Sequence, residues 1–544
     1  MPEKHLESRQ GGTRKTSIED YAIRRIPTTW TWSWSSIFIA LTGVGTALAV
    51  PLTAGLLLPF SGTQNIILAA ILAFGLQTVL SWKLFEVSAK DGIDIDMMSR
   101  GAGFGFTGSA VVSLIYLAAY TIFFSVEASI IAATLASYFG LDFSISALVV
   151  GLICVPLTIY GMKFMEKFQA YTLPFFFLLL ILMILNLNLD PSLVSRADGW
   201  LTYLPRGASL GGDYFFTALG TLFGFVGANS ILIPDFCRFA NKGSSQSAAR
   251  RIAILTIPAN ALQYLIAAPI GIYLSFATGT NNPGIYAIHL IGLPGLIFIM
   301  LGQFRILNYV VYGASLTASN FFSRVGRLVP GRFYWVVVYV IIGTMVTELQ
   351  IVHYLLNILT FMGIFIFAWL GTLLSDLYIV KGRLGLGPKD VEYRRPYIPA
   401  FNVVGLGSLG ISVAIGLALA FGGFFHQYGS LSTILFNISS PLSLVFAFCI
   451  TPILAKITEG KTYLLRRPAI ARDDTIVEFP MNYQVVECPR CGEIASTGDL
   501  VPCPYHDDWI CSHCCMRNKN CNDVCRQSTK DELLRIHPPA KLKH

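Results

Sequence analysis

The chain has 544 residues, of which 54% are hydrophobic and 13% charged, with a formal net charge of +8. Soluble globular proteins carry about 25% charged residues, so the composition argues against a soluble enzyme, and no enzymatic activity is expected. The basic excess lies mainly in the connectors between apolar segments, where it reports membrane topology rather than a nucleic-acid partner.

Residues 1–32 carry Lys4, Arg9, Arg14, Lys15, Arg24 and Arg25 without a short apolar core and cleavage site, so no signal peptide is expected. They read as a cytoplasmic N-terminal segment. Residues 33–456 read as a transmembrane domain, because the windows 33–82, 252–304 and 396–455 lack any charge and each is long enough for two crossings. One crossing needs about 20 apolar residues. Apolar runs between breakers predict helices at 33–58, 65–86, 104–138, 144–161, 169–189, 212–237, 252–276, 287–322, 333–347, 351–380, 400–423 and 431–456.

The connectors test this independently. One alternating set holds the N-terminal cluster, then Lys83, Lys90 and Arg100, then Lys163 and Lys167, then Arg238, Lys242, Arg250 and Arg251. It continues with Arg324, Arg327 and Arg332, and with Lys381, Arg383, Lys389, Arg394 and Arg395, whereas the other set holds only Arg196 and Arg206. Lys and Arg mark cytoplasmic loops, which puts both termini in the cytoplasm of a cell expected to carry the protein in its plasma membrane.

Small residues interrupt the first predicted helix at Gly43, Gly45 and Pro51 and the sixth at Gly220, Gly224 and Gly227. A glycine costs roughly 1 kcal/mol in a helix interior. Freed backbone groups are tolerable in a membrane where they line a polar cavity. Interruptions five helices apart are what an inverted-repeat transporter needs; the alternative is that small residues only admit close helix packing. The expected fold is an all-α polytopic membrane protein of about twelve helices, a five-plus-five inverted repeat plus two extra helices, with a small cysteine-rich cytoplasmic tail.

Ile18-Glu19-Asp20-Tyr21, followed by Arg24-Arg25-Ile26-Pro27 and an apolar helix with spaced glycines, resembles the opening of the nucleobase:cation symporter family of purine-cytosine permeases. Pro234-Asp235-Phe236-Cys237-Arg238-Phe239, preceded by Gly224-Phe225-Val226-Gly227-Ala228-Asn229, is similar to that family's Asp-aromatic-x-Arg-aromatic signature and Gly-rich stretch. Tyr312 to Asn320 resembles its Tyr-x-x-x-Leu-x-x-Ser-Asn run. The resemblance covers residues 18 to about 456 and implies a LeuT-like repeat that carries a nucleobase or related heterocycle inward with a cation.

Polar and charged residues at membrane depth are functional candidates by default. For the substrate these are Asn229, Asn308, Tyr309 and Tyr312, with Phe223 and Phe225 as stacking faces beside Gly227. An Asn carboxamide both donates and accepts, matching a heterocycle edge. The resemblance puts Asn308 close to the polar pair with which family members hold substrate. For the coupling ion, sodium or a proton, the candidates are backbone at Gly43, Gly45 and Thr46, hydroxyls of Ser315 and Thr317, and the charges Glu127 and Arg305. Arg305 is expected either to stand near the cation site, to pair with Glu127, or to meet an acidic substrate. Asp235 and Arg238 share a helix face and read as an ion pair or inner-gate contact. Phe361, Phe365 and Trp369 read as a packing stripe.

Residues 457–487 read as a polar linker, 488–526 as a zinc-binding module and 527–544 as a basic tail. The ligand pairs are Cys488 and Cys491, Cys503 and His506, Cys511 and Cys514, and Cys521 and Cys525, with Cys515 left over. Thiolate and imidazole suit tetrahedral zinc, and a reducing compartment disfavours disulfides; a thiol redox sensor is the alternative. The order resembles a RING-type cross-brace in which alternate pairs share an ion, but its spacings depart from that pattern, which favours a regulatory module with a cytoplasmic protein partner over ubiquitin-ligase activity. The expected function is a secondary transporter of a small heterocycle; the alternative is a membrane sensor or adaptor that signals through its zinc tail.

Overall fold

The computed structural model describes residues 22–27, 30–196, 199–240, 253–425, 430–472, 475–478, 485–518 and 520–536. The motif at Ile18 to Tyr21, the basic residues Lys242, Arg250 and Arg251, and residues 537–544 of the basic tail lie outside them. The principal helices are α1 (Trp34–Gly45), α2 (Ala49–Asp91), α3 (Ser109–Phe139), α4 (Phe143–Ile159), α5 (Met162–Leu189), α6 (Asp213–Cys237), α7 (Thr256–Thr278), α8 (Leu293–Val325), α9 (Arg332–Glu348), α10 (Leu355–Ser375), α11 (Val403–Phe425) and α12 (Ser430–Ile457). Among the described residues nine helical stretches, the joined Trp34–Asp91 counted as one, are long and apolar enough to cross a bilayer. The chain is an integral membrane protein.

Helix α2 holds 43 residues, with non-helical backbone at Gly62 (φ 74°, ψ 162°). The chain reverses there. Ile26 N–H donates to the Gly92 carbonyl at 3.0 Å and Trp32 N–H to Phe239 at 2.6 Å, while Thr63 N–H reaches Tyr203 at the far end. Residues 34–91 therefore go across and back, as the two predicted helices require. A Cβ at position 62 would stand 2.7 Å from the Tyr203 carbonyl, so both the positive φ and the close approach demand glycine.

The expected interruption of the first helix is present. Helix α1 ends at Gly45 with Thr46 as its cap, and α2 starts at Ala49. The expected interruption of the sixth helix is not. Helix α6 runs unbroken from Asp213 to Cys237, and its glycines serve packing instead. A Cβ at Gly220 would meet the Asn437 carbonyl at 2.5 Å, one at Gly224 the Leu359 carbonyl at 2.6 Å, and one at Gly227 the Ile366 side chain at 3.1 Å. These contacts seat α6 against α10 and α12, so the bare backbone is used for close approach.

The tail folds as short antiparallel hairpins. Strands β1 (Ala469–Arg472) and β2 (Thr475–Glu478) pair inside the stretch expected to be a linker. Strands β3 (Val485–Glu487) and β4 (Ile494–Ser496) form the next pair, and β5 (Leu500–Cys503) and β6 (Asp508–Cys511) the last. Trp509 is buried, with its indole N–H on the Ile536 carbonyl at 3.1 Å. The tail docks on one end of the helical bundle: Tyr393 donates to Asp499 at 2.8 Å, Arg394 to the Leu500 carbonyl at 3.2 Å, and Arg24 pairs with Glu493 at 2.8 Å. Met516 packs into the bundle's own core.

Gly224→Leu is expected to sharply lower the yield of monodisperse protein, because the α6–α10 seam has no room and overpacking costs about 1–3 kcal/mol or more. Gly75→Leu, where nothing stands within 4 Å, is expected to leave the yield unchanged; equal yields would show that the seam yields to side chains.

Candidate functional site

Where α1 gives way to α2, the backbone groups of residues 46–48 lie inside the bundle and draw side chains to them. The Thr46 hydroxyl donates to Gly43 O at 2.8 Å, and the Gln303 side-chain oxygen accepts from Leu48 N–H at 3.3 Å. The amide nitrogen of Gln303 in turn donates to the Glu127 carboxylate at 2.6 Å. One glutamine thus links α8, α3 and the helix break.

Beside this link lies an enclosed cavity of about 20 Å³, roughly one water in size, bounded by Ala47, Phe123, Glu127, Phe225, Asn229 and Gln263. Phe123 and Phe225 face each other with ring centroids 5.5 Å apart. The Asn229 amide donates to Gln263 at 3.0 Å and to the Tyr264 hydroxyl at 3.2 Å. A small adjoining cavity runs past Gly45, Asn229 and Gln263 to Asn260. At the bundle end opposite the tail a vestibule of about 770 Å³ is lined by Leu56, Phe60, Ile130, Asn282, Gln350 and His353.

Of the residues expected from sequence, Phe225, Asn229 and Glu127 come together here. Phe223 packs edge-on to Phe367, 6.3 Å between centroids, and Gly227 packs on Ile366. Asn308 accepts from Thr158 at 3.2 Å, and Tyr309 packs 4.4 Å from Phe236, both away from the cavity lining. Ser315 donates to the Tyr312 carbonyl at 2.7 Å. The side chains sequence reasoning missed are Phe123, Gln263, Tyr264 and Gln303. Gln303 had a legible signal, an amide in an apolar helix two residues before Arg305.

Arg305 points into the bundle. It donates to the Thr46 hydroxyl at 2.8 Å and lies 4.4 Å over the Phe176 ring. Its Nε and Nη1 have no hydrogen-bond partner among the described residues, nor do Nδ2 of Asn308 or the hydroxyl of Thr317, while the Tyr309 hydroxyl meets the Gln169 side chain. A Cβ on Gly43 would overlap that Gln169 side chain. Glu127 takes Gln303, so the expected Glu127–Arg305 pair does not form. The guanidinium stands at the carbonyl end of α1, where the helix dipole favours a cation.

The tail-bearing end is closed by a buried polar network. Arg238 Nη1 lies 3.7 Å from Asp94 and its Nη2 donates to the Tyr312 hydroxyl at 2.8 Å, while Asp235 accepts from Tyr120 at 3.0 Å. Asn320 donates to Asp94 and to the Ala22 carbonyl and accepts from Arg100; Arg324 pairs with Asp96 at 3.1 Å. Burial pushes the Asp94 carboxyl up to about 6 against the pull of Arg238. Burial, with Arg324 adding to it, lowers Arg100 to about 9. Asp94 and Asp96 follow α2 in the same connector as the basic residues Lys90 and Arg100. Phe361 and Phe365 pack with Phe436, while Trp369 donates to Ser99 at 3.1 Å and meets Tyr116 edge-on.

In the tail, the sulfurs of Cys488, Cys491, Cys511 and Cys514 lie within 4.8 Å of one another. The first and third pairs meet, as in a cross-brace. Sulfur separations are 3.9 Å for Cys488–Cys514 and 3.8 Å for Cys491–Cys511. Tetrahedral bonds of about 2.3 Å, the length of a Zn–S bond, require edges of about 3.8 Å. Hydrogen bonds from Cys511 and Cys514 hold the Cys488 thiol far below its ordinary range, Cys511 holds Cys491 down to about 7, and Cys511 itself is pushed up by the same contacts. Cys503, Cys521 and Cys525 line a separate small cavity, and His506 meets Asn518 at 3.0 Å.

No family model and no curated protein matches the sequence. Solved structures do. Mhp1, a nucleobase-cation-symport-1 family transporter, in a closed conformation with bromovinylhydantoin bound, superposes with a TM-score of 0.62 at 17% identity, over 83% of this chain and 100% of that one. Its inward-facing form matches at 0.61 and 16%, over 83% and 99%. A Na+-coupled sialic acid symporter in a substrate-bound outward-open state matches at 0.54 and 13%, over 82% and 93%. The chain has the fold of these transporters.

Asp94→Ala leaves the buried Arg238 and Asn320 without a shared acceptor. Removing one partner of a buried pair costs about 3–5 kcal/mol, expected as a markedly lower melting temperature in detergent. A loss below about 1 kcal/mol would remove Asp94 from the closure.

Proposed function

We propose that the protein is a secondary transporter that imports a small flat heterocycle, a nucleobase or a related ring such as a hydantoin or vitamin-like base, by alternating access. The observation that carries this is the cavity at the break of α1, where an aromatic pair and an Asn–Gln–Tyr amide and hydroxyl cluster stand together. Base-on-aromatic stacking contributes about 1–3 kcal/mol, and an amide pair meets the alternating donors and acceptors of a ring edge. The hydantoin held by Mhp1 supports a ligand of this class. Seating a ring requires Phe123 and Phe225 to part. Both termini and the tail face the cytoplasm in this reading, and the network around Asp94 and Arg238 is the inner gate.

Coupling to a cation is part of the proposal. Sodium between α1 and α8 would share its site with Arg305, and two unit charges about 4 Å apart repel by about 4 kcal/mol at an effective dielectric of 20, roughly a thousandfold in affinity. The guanidinium therefore stands in for an ion at the helix break, and Glu127 in the cavity wall is the group placed to carry a proton with the substrate. Uptake by the wild type is expected to be insensitive to replacing sodium by choline, and Glu127→Gln to abolish its dependence on a pH gradient. Strong sodium stimulation of the wild type would overturn this assignment.

A thermal-shift panel of purines, pyrimidines, hydantoins and vitamin-like rings, with and without sodium, tests the substrate class. Phe225→Ala and Asn229→Ala are each expected to weaken the active ring at least tenfold, and Asn308→Ala less; unchanged affinity in the first two would remove the site from this cavity.

The docking of the tail favours a second reading, a sensor that reports ligand through that module, which in either case we read as holding zinc at Cys488, Cys491, Cys511 and Cys514. Deleting residues 480–544 separates the two: a transporter keeps uptake, whereas a sensor keeps binding and loses its output.

A further inference from the structure

The cysteine-rich module contains a cavity of about 10 Å³ that the first metal cluster does not use. Four cysteines line it: Cys503 from the end of β5, Cys515 from the short helix Ser512–Arg517, Cys521 from the turn that follows and Cys525 from the short helix Val524–Gln527. All four are buried. The Cys515 and Cys525 thiols hydrogen-bond each other. Asn518 also lines the cavity, whereas His506, the residue whose spacing after Cys503 suggested a ligand, does not; its Nε2 lies 3.0 Å from the Asn518 amide nitrogen.

We propose a second tetrahedral metal site, for zinc, whose ligands are Cys503, Cys515, Cys521 and Cys525. Four thiolates are the donor set of structural zinc. The four sulfurs of the first cluster already lie within 4.8 Å of one another; those of the second are less close, with Cys515 and Cys525 in contact, so binding would have to draw Cys503 and Cys521 in across the cavity they share. Each thiol gives up its proton as the metal binds, so no oxidant or reductant is involved. Arg395 and Arg526 lie close enough to Cys525 to offset the negative charge that four thiolates leave on the complex.

The turn between two of these ligands gives the site a structural task. Asn522 and Asp523 both have positive φ, 43° and 59°, a left-handed conformation that Asn and Asp adopt more readily than other non-glycine residues. That turn aims the Asp523 carboxylate at Arg327, 2.6 Å away, and at Arg395, both on the helical bundle. A metal tying Cys521 to Cys525 would hold the turn in the shape that latches the module to the membrane domain.

The test is zinc per chain in full-length protein purified under reducing conditions. Two zinc ions are expected in the wild type, one in Cys515→Ser, one in the reference Cys491→Ser, and two in His506→Ala. Should Cys515→Ser fail to fold, cobalt substitution of the wild type decides without a mutation: two cobalt ions are expected with the sulfur charge-transfer intensity of eight thiolates. Seven thiolates, loss of an ion in His506→Ala, two ions retained in Cys515→Ser, or a single ion in the wild type would each overturn the site, as would an intact mass showing a Cys515–Cys525 disulfide.

Discussion

Lipid offers no hydrogen bonds, so the gap between α1 and α2 has to be satisfied from within the protein, and much of the bundle's interior follows from that requirement. Thr46 and Ala47 N–H groups fold back to Gly43 and Val44, Leu48 N–H takes Gln303, and the Thr46 hydroxyl takes Arg305. Each partner binds a further helix: Gln303 holds Glu127 on α3, and the Arg305 guanidinium lies over Phe176 on α5. The break therefore organises α3, α5 and α8 around itself, and the central cavity opens beside it.

Buried charge is treated in two ways in the same molecule. At the tail-bearing end three carboxylates, Asp94, Asp96 and Asp235, face three guanidiniums, Arg100, Arg238 and Arg324, across several chain segments. Such a network is stable only when complete, since any member removed leaves an uncompensated charge. Among the described residues Arg305 meets no such carboxylate, only a hydroxyl, an aromatic face and the carbonyl end of a helix. A cation kept in that setting is held by partial charges, which is how a transported cation would be held as well.

Much of the fold was legible because hydrophobic runs and the sign of loop charges are independent signals, and both are written at the scale of whole helices. What was not legible lay at the scale of single contacts. Gly220, Gly224 and Gly227 have the composition of an unwound segment, yet whether bare backbone faces a cavity or a neighbouring helix depends on α10 and α12, residues more than a hundred positions away. Asn229 and Asn308 are chemically equivalent as candidates; only the rotation of α6 and α8 turns one into the cavity and the other onto Thr158. In the tail, spacing sufficed for the pairing of Cys488 and Cys491 with Cys511 and Cys514. It could not weigh Cys515 against His506, because a short helix and a left-handed turn decide which side chain faces inward.

The N-terminal segment connects these levels. Residues 22–26 are buried between the closure network and the tail: the Ala22 carbonyl accepts from Asn320, Ile26 N–H reaches Gly92, and Arg24 meets Glu493 of the module. Asn320 on α8 is thereby tied to the strand of chain it holds. That chain leads directly into α1 through Trp32, stacked on Phe239 at the end of α6. The tail's contacts with this region combine an ion pair between buried Arg24 and half-exposed Glu493 with buried links such as Tyr393 to Asp499, which salt screens much less than it does exposed charges. The buried links, rather than the pair with the half-exposed carboxylate, therefore carry most of the tail's attachment to this end of the bundle.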